Sequence, residues 1–323
     1  MSSMETRISA EMFAENFSAA ADSVASVIKG DGTAVRRGLI CLFAGGHLLV
    51  EGPPGLGKTT LVRCLSAVLG LQFRRVQFTP DLLPSDITGT EVFHPDTRKV
   101  AFSKGPVFTH LLLADEINRA SPKTQSALLE VMAERQVTVS GVSWPIDPPF
   151  LVLATQNPVE MRGTYPLPEA QLDRFLLRVK IEYPDLPAEI AVLSNHRAGL
   201  VPQDCRVVLN RTDVLRMTSY ARSVHVDHEV TEYIARIVRA TRSAEGVVLG
   251  ASPRAGTALQ SAAQVLAAVQ GRAFVTPADV KELAVDALAH RVILAPSARF
   301  DQTKAEDVIS RIVGSVPAPG WRR

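Results

Sequence analysis

An α/β fold, with a parallel sheet between helices and a helical C-terminal unit, is predicted by three observations. Short apolar runs of strand length alternate with amphipathic helical stretches as far as Ile181. A glycine-rich turn joins the first of those runs to a helix, and strand-like patterns cease beyond Tyr183-Pro184-Asp185. Phe13, Phe17, Ala20, Val24 and Val27 recur at steps of four and three, so a helix is expected to end by Gly30, and a second covers Ala34 to Ala44. Strands are expected at His47–Glu51, Gln72–Phe78, Leu111–Ala114, Phe150–Thr155 and Leu176–Ile181. Two hairpins interrupt the alternation. One pairs Glu91–His94 with Lys99–Ser103 around Pro95-Asp96-Thr97-Arg98, the other Gln136–Ser140 with Val142–Trp144 around Gly141. Helical patterns then cover Ala188–His196, Thr212–Ser223, Glu229–Thr241, Ala255–Val269 and Pro277–His290, with a frayed tail expected after them.

Composition narrows the class. The chain has 323 residues, length for about two domains with a large core. A net charge of +2, with basic residues dispersed, argues against nucleic acid or an anionic membrane as the partner. Cys41, Cys64 and Cys205 are odd in number and far apart, which reads as buried free thiols in a reducing cytoplasm. The N-terminus lacks an apolar signal core, and the longest apolar stretch is broken by Gly45, Gly46 and His47, so no membrane span is expected. His225, His228 and Glu229 precede or open a helix and read as capping or surface residues rather than a metal site.

Gly52-Pro53-Pro54-Gly55-Leu56-Gly57-Lys58-Thr59 carries the most information. It follows an apolar run and precedes Thr60 to Leu69, the strand–loop–helix setting in which a GxxxxGK[ST] match prefigures a triphosphate pocket. Glycines let successive N–H groups turn inward at the positive end of the next helix. Lys58 would reach the β- and γ-phosphates of ATP, and the Thr59 hydroxyl would bind Mg²⁺. Leu111-Leu112-Leu113-Ala114-Asp115-Glu116 is a buried-strand run ending in two carboxylates. There Asp115 reads as the metal-side acid and Glu116 as the general base, the alternative being that they cap the helix opening near Ser121-Pro122. Asn157, after Leu151-Val152-Leu153-Ala154-Thr155-Gln156, could contact the γ-phosphate or simply form an Asn-Pro turn; spacing leaves both open.

Together these residues resemble the AAA+ ATPases, and specifically their MoxR branch. The likeness is carried by the stretch from Gly46 to Thr59, by Pro80-Asp81-Leu82-Leu83-Pro84-Ser85-Asp86-Ile87-Thr88-Gly89, by Ala114-Asp115-Glu116-Ile117-Asn118-Arg119-Ala120, by Ala154-Thr155-Gln156-Asn157-Pro158, and by the run from Leu167 to Phe175. It covers roughly residues 9 to 316. The resemblance implies an AAA+ P-loop NTPase domain at residues 1–184, a parallel five-stranded sheet between helices. It adds a helix-2 insert at about 91–103 and a pre-sensor-1 hairpin at about 136–144, then an all-α lid at 185–316 and a flexible tail at 317–323.

By the same likeness Lys58 and Thr59 match Walker A, with Thr60 following, Asp115 and Glu116 match Walker B, and Asn157 matches sensor 1. Arg174 matches the arginine finger that reaches a neighbouring subunit's nucleotide, and Arg254 matches sensor 2 at the start of a lid helix. Val27 and Ile28 fall where the family's backbone cups adenine, and the nucleotide is expected between core and lid, with hydrolysis moving the lid through Arg254. The implied partners are further copies of the chain, in a ring that is typically a hexamer, and a client protein complex, often with a von Willebrand factor A protein. The implied task is chaperone-like remodelling, maturation or cofactor insertion. A magnesium chelatase subunit, a DNA-acting motor and a nucleotide switch without turnover are the rivals. The tip of the second hairpin, Val139 to Ser143, is uncharged, whereas the first carries Arg98 and Lys99; Val142 and Trp144 read as packing residues, and Arg119 as a subunit-interface or surface charge.

Overall fold

The computed structural model describes residues 8–320 apart from 31, 97, 158–163, 198 and 301. Thr97 of the first hairpin turn, Pro158 of the Asn157 stretch and 321–323 of the expected tail therefore lie outside the described residues. The chain opens with α1 (Ala10–Val27) and α2 (Thr33–Ala44). Ser9 caps α1 by accepting from the Met12 N–H, and Gly45, left-handed at φ +71°, ends α2. Then come β1 (Leu48–Glu51), α3 (Lys58–Val68), β2 (Phe73–Gln77), α4 (Pro84–Thr88), β3 (Gly89–His94), β4 (Lys99–Lys104) and β5 (Leu111–Asp115). They are followed by α5 (Pro122–Glu134), β6 (Gln136–Val139), β7 (Val142–Pro145), β8 (Leu151–Gln156), α6 (Glu169–Leu172) and β9 (Leu177–Lys180).

Five of these strands form one parallel sheet in the order β2-β5-β8-β1-β9. Their near-continuous apolar sequences follow from burial on both faces. Alternation then divides each strand: Leu48, Val50, Leu111, Leu113, Leu151 and Leu153 enter one apolar cluster, while Leu49, Leu112, Ala114, Val152 and Ala154 enter the other with α5. Because the sheet is parallel, the C-terminal ends of β1, β5 and β8 converge on one edge, and the candidate site forms there.

The helical part comprises α7 (Leu186–Arg197), α8 (Arg211–Ser223), α9 (His228–Thr241), β10 (Val247–Leu249), α10 (Pro253–Val269), α11 (Pro277–Leu288), β11 (Ile293–Leu294), α12 (Pro296–Phe300) and α13 (Ala305–Ser315). It is helical as expected, with one addition: β10 and β11 pair as a short antiparallel ribbon. Runs of three and two residues are too short to show a period, so the sequence does not announce them. α9 is capped by Asp227, and His225, His228 and Glu229 are exposed, the surface alternative of the reading above. Among the described residues, no helix is long and apolar enough to cross a membrane, and all three cysteines are buried and free.

Both hairpins form. They are joined: Trp144 stacks on Phe102 at 5.0 Å between ring centroids, and the Ser140 hydroxyl donates to Glu91 at 2.8 Å. Trp144 is thus a packing residue, whereas Val142 stands exposed.

Candidate functional site

Between β1 and α3 the backbone folds into a loop that favours glycine. Gly55 and Gly57 have φ of +83° and +74°, and a Cβ on either would point into open space, so the loop encloses a cradle. Gly52 serves a different need: a Cβ there would lie 2.4 Å from the Ile181 carbonyl oxygen, so the loop's entry runs directly beside the exit of β9. Lys58, Thr59 and Thr60 form the first turn of α3, whose leading N–H groups lack helical partners and carry the positive end of the macrodipole. The Lys58 ammonium turns back to donate to the Gly52 carbonyl at 2.5 Å. Burial pushes its pKa below the ordinary lysine value, while Asp115 and Glu116 oppose that shift by favouring the charged form.

Asp115 ends β5. Its Oδ2 accepts from Arg75 Nε at 3.1 Å and Nη2 at 2.8 Å, and its Oδ1 accepts from the Thr155 hydroxyl at 2.7 Å. Glu116 follows in the left-handed region at φ +56°, a conformation unfavourable for a side chain of this kind. Its carboxylate accepts from Gln77 Nε2 at 2.8 Å and from Arg119 Nη1 at 3.0 Å. Arg75, Gln77, Asp115, Glu116 and Thr155, with buried Asn157, line a cavity of about 350 Å³ that opens onto Gly55, Gly57, Lys58, Thr59 and Thr60. The sequence reading omitted Arg75, Gln77 and Thr155 here. Arg75 and Gln77 lie two apart on β2 and so share a face, which was the one available signal.

Arg174 and Arg254 lie elsewhere. They line a second cavity, of about 340 Å³, that shares no residue with the first. Arg174 Nη1 donates to the Leu129 carbonyl at 2.5 Å. Next to it Asp173 accepts from buried Arg291 at 2.7 Å and from Ser252 at 3.0 Å, and that second bond draws the start of α10, and with it Arg254, to this cavity. Within one chain Arg254 lines this cavity and not the one lined by Lys58, and the helix it opens, α10, packs against α1 and α2. Val27 and Ile28 are partly buried against the core and do not line the Lys58 cavity; the Val27 carbonyl accepts from Asn195 of α7 at 3.0 Å.

The Lys58 cavity fits a polyphosphate with a divalent cation. It offers an open glycine cradle, a helix N-terminus, one ammonium and a hydroxyl–carboxylate pair, Thr59 and Asp115. The chain is similar to proteins of an ATPase family. The sequence model of the ATPase family associated with various cellular activities (AAA) matches residues 47–177, and that of the AAA lid domain matches residues 239–312. Protein YeaC of Bacillus subtilis is 45% identical, the match covering 88% of this chain and 89% of YeaC. Chaperone MoxR1 of Mycobacterium tuberculosis is 43% identical over 92% of this chain and 80% of its own length. A crystal structure from Cytophaga hutchinsonii superposes with a TM-score of 0.89 at 39% identity, covering 96% of this chain and 97% of that one. The chain belongs to the MoxR-type AAA+ ATPases, with a P-loop domain and a helical lid.

Proposed function

We propose that the protein hydrolyses ATP with Mg²⁺ in a ring of its own copies, typically six, and uses that cycle to remodel, mature or load a cofactor into a client protein complex. The observation that carries this reading is the separation of the two cavities. Lys58, Thr59, Asp115 and Glu116 line one cavity, while Arg174 and Arg254 line another of the same chain. A site needing both sets is complete only where two copies meet.

In that site the glycine loop and Lys58 hold the phosphates, and Thr59 with Asp115 holds the metal, which would neutralise charge on the phosphate oxygens. Glu116 orients water for in-line attack and accepts its proton, and Asn157 fixes the γ-phosphate. Arg174 of a neighbouring copy spreads the developing charge, a contribution on the order of 10³ to 10⁵ in rate. Val27 and Ile28 take the adenine, and Arg254 reports on the same shared nucleotide from the lid. The joined hairpins, 91–103 and 136–144, face the client, for which a von Willebrand factor A protein is the favoured companion. The relative named Chaperone MoxR1 supports a chaperone-like task. A cytoplasmic setting suits three free, buried thiols.

Phosphate release measured across protein concentrations tests this. Turnover per chain should rise with concentration and fall about 10³-fold in Arg174→Ala. A rate per chain independent of concentration and unaffected by Arg174→Ala would leave a self-sufficient subunit. Stimulation by DNA would favour a DNA-acting motor, metal insertion into a porphyrin would favour a chelatase subunit, and nucleotide binding without turnover would favour a switch.

A further inference from the structure

The β5–β8 ladder ends at the pair Ala114 and Ala154, one residue short of the acids. Beyond it the strands are joined by a side chain. The Thr155 hydroxyl accepts the Glu116 N–H at 2.8 Å and donates its only proton to Asp115 Oδ1 at 2.7 Å. A threonine hydroxyl has one proton, so the two bonds fix its rotation and its direction of donation. Thr155 is 1% exposed, so water does not replace either bond.

The two bonds act on different parts of the acidic pair. One orients the Asp115 carboxylate, whose other oxygen is held by Arg75. The other takes up the N–H of a residue held at φ +56°. Non-glycine backbone persists in that region when its surroundings over-determine it. We infer that Thr155 is a positioning residue for hydrolysis, its hydroxyl setting the Asp115 carboxylate and the Glu116 backbone in register with each other. This rests on the ATPase reading above. Gln77 and Arg119 orient the Glu116 carboxylate, while the Thr155 hydroxyl bonds to both acids.

Two substitutions separate this role from packing. Thr155→Val keeps the shape and removes both bonds; Thr155→Ser keeps the hydroxyl and removes a methyl group. A positioning hydroxyl predicts that Val lowers kcat by about 10- to 100-fold, leaves KM for ATP within about twofold, and raises the Mg²⁺ concentration needed for half-maximal binding of a fluorescent ATP analogue. Ser should restore kcat to within about threefold of the wild type. In crystals of Thr155→Val grown without nucleotide, the Asp115 carboxylate and the Glu116 backbone should leave the positions described here. The inference is overturned if those positions are unchanged, or if Val turns over as the wild type does while Ser is impaired, the order that packing predicts. Wild-type protein without turnover would overturn the ATPase reading and this inference with it; normal turnover in both wild type and Thr155→Val overturns this inference alone.

Discussion

Acidification should weaken the fold through His47, and the size of the effect follows from its surroundings. The imidazole is buried at the start of β1, where Nδ1 accepts from the Val152 N–H at 3.0 Å and Nε2 lies 3.2 Å from the Met132 carbonyl. The Val152 bond requires an unprotonated Nδ1, so Nε2 carries the proton and donates to Met132. This neutral tautomer ties β1 to both β8 and α5, and burial holds the pKa down to about 4, against an ordinary 6.5. Below pH 6.5 the unfolded chain takes up a proton that the folded chain refuses, so stability falls as pH falls, until the folded pKa is passed. The loss is about 1.4 kcal/mol per pH unit, thus about 2 kcal/mol between neutrality and about pH 5. His290, also buried and held well below its ordinary value, adds a loss of the same sign. Urea unfolding of wild type and His47→Gln at about pH 7.5 and about pH 5 isolates the His47 share. The wild type should lose about 2 kcal/mol more than the variant over that interval. Equal losses, or an imidazole resonance titrating near 6.5, would refute the reasoning.

Three further outcomes follow from particular contacts. Asp173→Asn should cost about 3 kcal/mol in urea unfolding, because it leaves the buried Arg291 guanidinium without its counter-charge; a loss under about 1 kcal/mol would show that the Phe175 and Leu176 carbonyls suffice for Arg291. Gly52→Ala should destabilise by about 1–3 kcal/mol, since the overlap with the Ile181 carbonyl involves backbone that no rotamer change relieves; an unchanged melting temperature would contradict this. Lys58→Ala should abolish binding of a fluorescent ATP analogue while leaving the circular dichroism spectrum unchanged, and retained affinity would place the phosphates elsewhere.

The parts legible in the sequence are those whose meaning is local. The phosphate loop is a contiguous run, and Asp115 and Glu116 directly end an apolar strand. What escaped depends on register between distant segments. Arg75 and Thr155 meet Asp115 across 40 residues in either direction, and nothing in β2 or β8 alone says that β5 lies between them. The short ribbon of β10 and β11 carries too few residues to display alternation. Arg254 was placed on the start of a helix, which it occupies, but the cavity it lines is decided by how α10 packs on α1 and α2.

Mixing two inactive variants tests the shared site most directly. Glu116→Gln protein lacks the base but presents Arg174; Arg174→Ala protein has the base but lacks the arginine. If each site draws Glu116 from one copy and Arg174 from the next, an equimolar mixture restores activity to roughly a quarter of the wild type, the fraction of junctions that are complete by chance in a cyclic assembly. Activity no greater than the two variants measured apart would contradict it.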